Sequence, residues 1–203
     1  MDNRQRIIEE AAMMFRTYGI RAVTMDMLAG QIGISKRTIY ELFHDKDELL
    51  KGVLNRMNEM QQDMINRVMD ECDNVIEAIF RILDIMTEHL RNMSPAFKLD
   101  MKRYHNDIIT KLREKGELPY YRDNREIIKR GIDEGVFRED INVDITDKCI
   151  HEVIRMTNAN DNSSSEDFTD EKVVRDFYIN YMRGISTQKG LDLINYYEKN
   201  NQK

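Results

Sequence analysis

Apolar residues recur with helical spacing along most of the chain, and the alternation typical of β-strands is almost absent. Between residues 24 and 43 this pattern describes two short helices that meet at a tight turn. One apolar face of the first helix is formed at positions i, i+3, i+4 and i+7 by Met25, Leu28, Ala29 and Ile32. Gly33 is expected to end that helix, because glycine readily adopts a positive φ just past a helix end.

The second short helix has one apolar side and one polar side. Ser35 can cap its first turn through the hydroxyl group, and Thr24 can cap the first short helix in the same way. The residues expected to point inward are Ile39, Leu42 and Phe43. The residues expected to point outward are Lys36, Arg37, Thr38 and Tyr40. A slim helix that is rich in donors suits the major groove of DNA, so the pair reads as a helix-turn-helix. The alternative is an ordinary corner of two helices whose charged side is merely solvated.

The same spacing predicts further helices, and the sequence as a whole predicts an all-α fold. These helices are expected at about 4–18, 45–71, 74–92, 95–105, 107–134, 145–157, 170–185 and 193–197. Pro119 should kink or split the fifth of them, since proline lacks the N–H that a helix interior needs. The polar stretch 158–167 is too poor in apolar residues to order itself, and we expect a mobile loop there.

Composition narrows the class of protein. The chain has 203 residues, of which 41% are hydrophobic and 33% charged, enough for one or two globular domains. No run of about 18 apolar residues occurs, and the N-terminus does not resemble a secretory signal. Cys72 and Cys149 lie in no motif, so we expect buried, reduced thiols in a cytoplasmic protein with no membrane partner.

Charge and chemistry exclude several functions. The net charge of −6 argues against a general nucleic-acid coat, whereas the small positive balance within residues 35–46 is enough for a sequence-specific reader. Four histidines share no metal-ligand spacing; they are His44, His89, His105 and His151. No glycine-rich phosphate loop and no nucleophile elbow occur. The sequence therefore predicts a protein that is not an enzyme and has no metal and no cofactor.

The stretch from Thr24 to Leu50 resembles the DNA-binding signature of the tetracycline-repressor (TetR) family of regulators. The matching pattern is Thr-x5-Gly-Gln-Ile-Gly-Ile-Ser-Lys-x-Thr-Ile-Tyr-x-x-Phe-x-x-Lys-x-Glu-Leu-Leu. The resemblance implies an N-terminal three-helix helix-turn-helix DNA-binding domain over residues 1–45. It also implies a larger helical effector-binding and dimerisation domain over residues 46–203, and a homodimer shaped like the letter Ω.

The resemblance also assigns roles to single residues. Thr24, Tyr40 and Lys46 would bind phosphates, and His44 would touch the DNA backbone. Lys36, Arg37 and Thr38 would face bases. Arg37 departs from the small residue common at its position, and it could read guanine or reach a phosphate instead. The full set expected to bind DNA is Thr24, Ser35, Lys36, Arg37, Thr38, Tyr40, His44 and Lys46.

Two further sets follow from the resemblance. Dimerisation would use apolar positions of the last two long helices, unless these pack only within one subunit: Ile150, Val153, Ile154, Val174, Phe177, Tyr178, Tyr181 and Met182. An effector pocket would be lined by Phe80, Leu83, Met86, Phe97, Met101, Tyr104 and Ile108. The 14 methionines could line an adaptable apolar pocket, or they could be ordinary core filler.

The leading hypothesis from the sequence is a transcriptional repressor that a small-molecule effector of unknown identity releases from a palindromic double-stranded DNA operator. A second hypothesis is a helical interaction protein that binds DNA through the helix-turn-helix and is controlled by a protein partner and not by a ligand. A third is a small-molecule binding protein whose helix-turn-helix no longer binds DNA. Loss of Tyr40 and Lys46 would weaken DNA binding in the first case and change nothing in the third.

Overall fold

A computed structural model of the chain confirms the all-α prediction. It describes residues 2–104, 108, 110–111, 114–115, 124–159 and 170–200, with the backbone alone at 102–104, 153–159 and 170–174. These residues form ten helices and no β-strand. The first six are α1 (Asn3–Tyr18), α2 (Met25–Ile32), α3 (Lys36–Leu42), α4 (Lys46–Glu71), α5 (Val75–Arg91) and α6 (Pro95–Tyr104). The last four are α7 (Arg125–Asp133), α8 (Val143–Ala159), α9 (Asp170–Ile185) and α10 (Gln188–Asn200).

The helices fall into two compact units. The first comprises Met1–Asp63 and Arg91–Pro119, and the second comprises Met64–Leu90 and Tyr120–Lys203. The domain boundary expected after residue 45 stays a prediction.

The core of the first unit joins α1, α2, α3, the start of α4 and α6. Its largest fully buried side chains are Ile7, Phe15, Ile20, Leu28, Ile39, Phe43, Leu49 and Leu50. Arg6 donates from Nη2 to the carbonyl of Ile32 at 2.8 Å, which ties α1 to the last turn of α2. Phe97 of α6 is buried in the same core. The first three helices are therefore packed around one centre that also includes α6.

In the second unit, a guanidinium joins the end of α4 to α7. Arg130 donates to the carbonyls of Met69 and Cys72 and pairs with Glu134 at 2.5 Å. The carboxylate of Glu134 in turn accepts the backbone N–H of Val75 at 2.7 Å, at the start of α5. Both carbonyls lie at the end of α4, where a helix leaves its C=O groups without partners of its own. The Arg130–Glu134 ion pair thus provides hydrogen-bond partners for backbone groups at the end of α4 and at the start of α5.

The connector after α7 is buried and not merely a link. Val136 and Phe137 are buried, and Phe137 forms an isolated antiparallel bridge with Ser186. Gly131 lets the ring of Phe137 approach α7, and Gly190 lets α10 approach the carbonyl of Val136. Glycine is required at both positions because a Cβ would lie 2.1 Å from the neighbouring atom.

Two expectations from the sequence are wrong. The short helix expected at 193–197 extends over Gln188–Asn200, because Ile194 is buried and Tyr197 packs with Phe80 at a ring separation of 5.8 Å. Cys149 is exposed and not buried, since it lies on the outward side of α8, whereas Cys72 is buried as expected. The region around Pro119 and most of the expected loop, residues 160–167, lie outside the described residues. Within the described part of the chain, no helix combines the length and apolar character needed to cross a membrane.

Candidate nucleic-acid interface

Short side chains fix the ends of α2 and α3. Thr24 caps α2 by accepting the N–H of Met27 at 3.1 Å, and Ser35 caps α3 by accepting the N–H of Thr38 at 3.1 Å. Between them Gly33 has a φ of 76°, in the left-handed region that favours glycine. These are the caps and the turn that the sequence predicts, and they set the direction in which α3 leaves α2.

Helix α3 presents its polar side to solvent. Ile39 is fully buried beneath the helix, whereas Tyr40 is 47% exposed. Lys36 forms an ion pair with Asp26 at 2.6 Å, and this hydrogen bond raises the pKa of Lys36. The Arg37 side chain is 87% exposed and pairs with Glu41 at 2.9 Å. Exposed pairs of this kind contribute little to stability, so both cations can exchange their partners for phosphates or bases.

Lys46 is placed differently from the other basic residues. Its ammonium donates to the carbonyl of Val23 and lies 5.8 Å from the centre of the Phe15 ring. Burial lowers the pKa of Lys46, and the carboxylates of Asp100 and Asp47 oppose that shift. In this structure Lys46 therefore braces the segment before α2, and the phosphate contact expected of it stays a prediction.

The start of α4 is capped reciprocally. Asp45 accepts the N–H of Glu48 at 2.8 Å, and the carboxylate of Glu48 accepts the N–H of His44 at 2.7 Å. This resembles a capping box displaced by one residue. The His44 side chain is exposed beside this cap, as the sequence suggests.

The residues expected to bind DNA all lie in the first unit. Thr24, Ser35 and His44 lie at the starts of α2, α3 and α4, and α3 carries Lys36, Arg37, Thr38 and Tyr40. Lys46, at the start of α4, is turned towards Val23 instead. A surface with hydroxyl, ammonium and guanidinium donors on a slim helix can meet phosphates and base edges. Because Asp26 and Glu41 already neutralise two of its cations, we expect weak binding to DNA of arbitrary sequence.

The residues expected to line an effector pocket do not share one hydrophobic cluster. Phe97 and Ile108 are buried in the core of the first unit, and Met101 packs against it. Phe80 and Leu83 belong to the main cluster of the second unit. Met86 packs against a smaller cluster there, and the side chain of Tyr104 lies outside the described residues. The pocket stays a prediction.

A different cleft is present between α1 and α4 of the first unit. Its volume is about 250 Å³, and its lining is mostly polar. The lining residues are Arg4, Gln5, Ile8, Glu48, Lys51, Gly52, Asn55, Arg56 and Glu59. Charges of both signs occur there, and Arg56 is paired with Glu9 and Glu59. None of the residues expected to bind an effector lines it.

The residues expected to form a dimer interface divide into three groups. Ile150 and Met182 are buried within their own chain, so a partner subunit could reach little of either. Phe177 and Tyr181 are partly exposed on α9 and stack with ring centres 5.8 Å apart. Tyr178 is also partly buried, and burial raises the pKa of its hydroxyl. The side chains outside the described residues are those of Val153, Ile154 and Val174.

The structure adds residues to this surface that the sequence analysis missed. Ile145 is 61% exposed on α8, and Cys149 lies exposed one turn later. The signal was present, because Ile145 and Cys149 have i, i+4 spacing, offset by one residue from the buried Thr146 and Ile150. Apolar content alone did not distinguish the outward side of α8 from the inward side. Within the described residues, no three acidic, cysteine or histidine side chains converge to hold a metal ion.

Comparison with known proteins identifies relatives of the region that carries α2 and α3. Residues 7–53 match the family described as bacterial regulatory proteins, tetR family. The chain is 29% identical over 93 residues to YhgD of Bacillus subtilis, named as an uncharacterized HTH-type transcriptional regulator. The matched residues are 44% of this chain and 49% of YhgD. It is 25% identical over 161 residues to the HTH-type transcriptional repressor KstR2 of Mycobacterium tuberculosis, covering 73% and 76% of the two chains. The chain thus spans about half the length of YhgD and of several other curated relatives.

Solved structures agree on the fold. FadR of Thermus thermophilus, described as a TetR-family transcriptional repressor in complex with lauroyl-CoA, superposes with a TM-score of 0.64 at 15% identity, over 92% of this chain and 96% of that one. The helix-turn-helix resides in the matched residues, and the relatives' names describe transcriptional regulators and not enzymes. Residues 7–53, which carry the helix-turn-helix, therefore match the TetR family of bacterial regulatory proteins, and over most of its length the chain shares the fold of a TetR-family repressor.

Proposed function

We propose that this protein is a sequence-specific DNA-binding transcriptional regulator that reads duplex DNA through α3. The observation that carries the proposal is the two-sided character of this helix. Ile39 anchors it in the core, while Lys36, Arg37 and Tyr40 extend from its exposed side. A helix held in this way can enter the major groove without rearrangement of the core. Chromosomal DNA as a partner would assign the protein to the cytoplasm.

The chemistry of α3 suits both phosphate binding and base reading. Arg37 can leave Glu41 and donate two hydrogen bonds to the O6 and N7 atoms of guanine, worth about 1–3 kcal/mol of discrimination. Lys36 can leave Asp26 for a phosphate, and the Tyr40 hydroxyl can donate to another. Phosphate contacts would fix the register, and Arg37 would contribute sequence preference.

A substitution experiment tests this role of α3. The variant replaces three exposed residues by alanine: Lys36, Arg37 and Tyr40. A control replaces the same three residue types, also exposed, in the second unit: Lys129, Arg138 and Tyr196. Fluorescence anisotropy with a selected duplex should show loss of specific binding for the first variant and wild-type binding for the control. Equal affinities of the two variants would contradict the proposal.

We also propose a homodimer that binds a palindromic operator. Support comes from the outward side of α8 and α9, where Ile145, Cys149, Phe177 and Tyr181 combine exposed apolar surface with helical spacing. Two such helices from each subunit would form a four-helix interface. Two recognition helices about 34–36 Å apart would then meet successive major grooves on one side of the duplex.

We further propose that the protein is a repressor and that a small molecule relieves the repression. KstR2 is named as a repressor, and FadR was solved with lauroyl-CoA, so an apolar or acyl effector is a reasonable class to screen. Linkage requires that operator weaken effector binding by the same factor as effector weakens operator binding. Calorimetric titration of a screened ligand with and without saturating operator tests this. An affinity that operator leaves unchanged would favour control by a protein partner instead.

A further inference from the structure

Helix α6 is joined to the loop between α1 and α2 by a buried carboxylate. Asp100 of α6 is only 7% exposed, and its Oδ2 accepts the backbone N–H of Arg21 at 2.8 Å. A carboxylate buried to this extent needs a donor or a positive charge nearby. Its donor here belongs to the loop of residues 19–23, which leads directly into Thr24, the cap of α2.

The contact between α6 and the end of α1 is close. Gly19 has a φ of 87°, and a Cβ there would lie 2.9 Å from the Cβ of Ala96 and 3.0 Å from Oδ2 of Asp100. The N–H of Ser94 donates to the carbonyl of Arg16 at 3.2 Å. The start of α6 therefore fits the end of α1 by shape as well as by hydrogen bonds, and it leaves the loop little freedom to shift.

Lys46 holds the same loop at a second place. Its ammonium donates to the carbonyl of Val23, two residues after the N–H that Asp100 accepts. Burial lowers the pKa of Lys46, and the charge of Asp100 works against that shift. A half-buried ammonium keeps its proton more readily when a carboxylate lies near. Asp100 thus acts on the loop directly and, through its charge, on Lys46.

We propose that Asp100 is a positioning residue through which α6 holds the loop of residues 19–23, and with it Thr24 and Lys46, in the arrangement that meets DNA. The inference rests on the proposed DNA binding. A displacement of α6 would withdraw the acceptor from the N–H of Arg21. The loop and the cap of α2 would then be free to move, and DNA would be held less well.

A pair of charge-matched variants tests this role. Asp100→Ala and Asp63→Ala each remove one carboxylate from the first unit, and Asp63 is exposed on α4. Loss of negative charge alone should leave DNA binding equal or tighter in both, since DNA is a polyanion. If Asp100 anchors the loop, Asp100→Ala should instead bind operator about tenfold more weakly than wild type. This is the effect expected from the loss of one hydrogen bond to a charged group. Asp100→Asn keeps an acceptor oxygen and should recover part of that loss.

A second readout needs no DNA. Amide hydrogen exchange at Arg21 should be faster in Asp100→Ala than in wild type, and unchanged in Asp63→Ala. If Asp100→Ala fails to fold, Asp100→Leu against Asp63→Leu carries both measurements, because leucine has a similar volume to aspartate and no acceptor for the N–H of Arg21. Unchanged exchange at Arg21, or equal operator affinities of the matched variants, overturns the inference. If the wild type binds no DNA, the proposed function and the positioning role both fall, while the exchange data still decide whether Asp100 holds the loop.

Discussion

At Gly131 a hydrogen atom in place of a methyl group decides whether α7 can pack against Phe137. A Cβ there would lie 2.1 Å from Cδ2 and 2.4 Å from Cε2 of the buried ring. We expect Gly131→Ala to destabilise the protein by about 1–3 kcal/mol, because overpacking outweighs the helix propensity gained. Urea unfolding followed by circular dichroism measures the change. Gly30→Ala is the control, since that helical position has open space and should gain up to about 1 kcal/mol. Equal effects would show that the ring moves aside freely.

Residues whose roles are local were the ones that the sequence could predict. Thr24, Gly33 and Ser35 act on neighbours within a few positions, so their type and spacing suffice. Lys46 could not be understood in this way. Its contact with Val23 spans 23 positions, and nothing in the motif distinguishes an ammonium that braces a loop from one that awaits a phosphate.

At the scale of elements, Arg130 joins the end of α4 to α7. Its guanidinium satisfies the carbonyls of Met69 and Cys72 and is only partly exposed. We expect Arg130→Ala to cost about 2–3 kcal/mol, because hydrogen bonds to a charged group are lost and carbonyls are left without partners. Thermal unfolding should show it. Arg138→Ala removes an exposed ion pair with Asp140 at 3.1 Å and should cost less than about 1 kcal/mol. A cost as small for Arg130→Ala would mean that water replaces the guanidinium.

Helix bounds followed the apolar period closely where both ends carry signals. Helix α1 ends at Tyr18, just before Gly19, and α6 starts at Pro95, and both bounds agree with the prediction from the sequence. Helix α10 was underestimated because its apolar stripe is narrow, and burial of Ile194 could not be foreseen. The residues expected to line an effector pocket follow from the family resemblance, which implies a pocket between their helices. Which cluster each apolar side chain joins depends on long-range packing, and periodicity does not encode that.

For the whole molecule, the outward side of α8 and α9 carries the dimer proposal. Ile145→Asp should shift the protein towards monomer, because a buried unpaired carboxylate at an interface is costly. Sedimentation velocity at micromolar concentration measures the change. Tyr196→Asp is the control, a charge placed on another exposed apolar residue of the second unit. A wild type that sediments as a monomer, or an Ile145→Asp variant that remains dimeric, would contradict the assignment of this surface.

If α3 reads DNA sequence, selection of bound fragments from a random duplex library will show which sequence the protein prefers. Purified protein at physiological salt should recover one palindrome with two similar half-sites about one helical turn apart. The variant with alanine at Lys36, Arg37 and Tyr40 should recover no common sequence. If the wild type recovers nothing above background, or if both proteins recover the same sequence, α3 does not read DNA sequence.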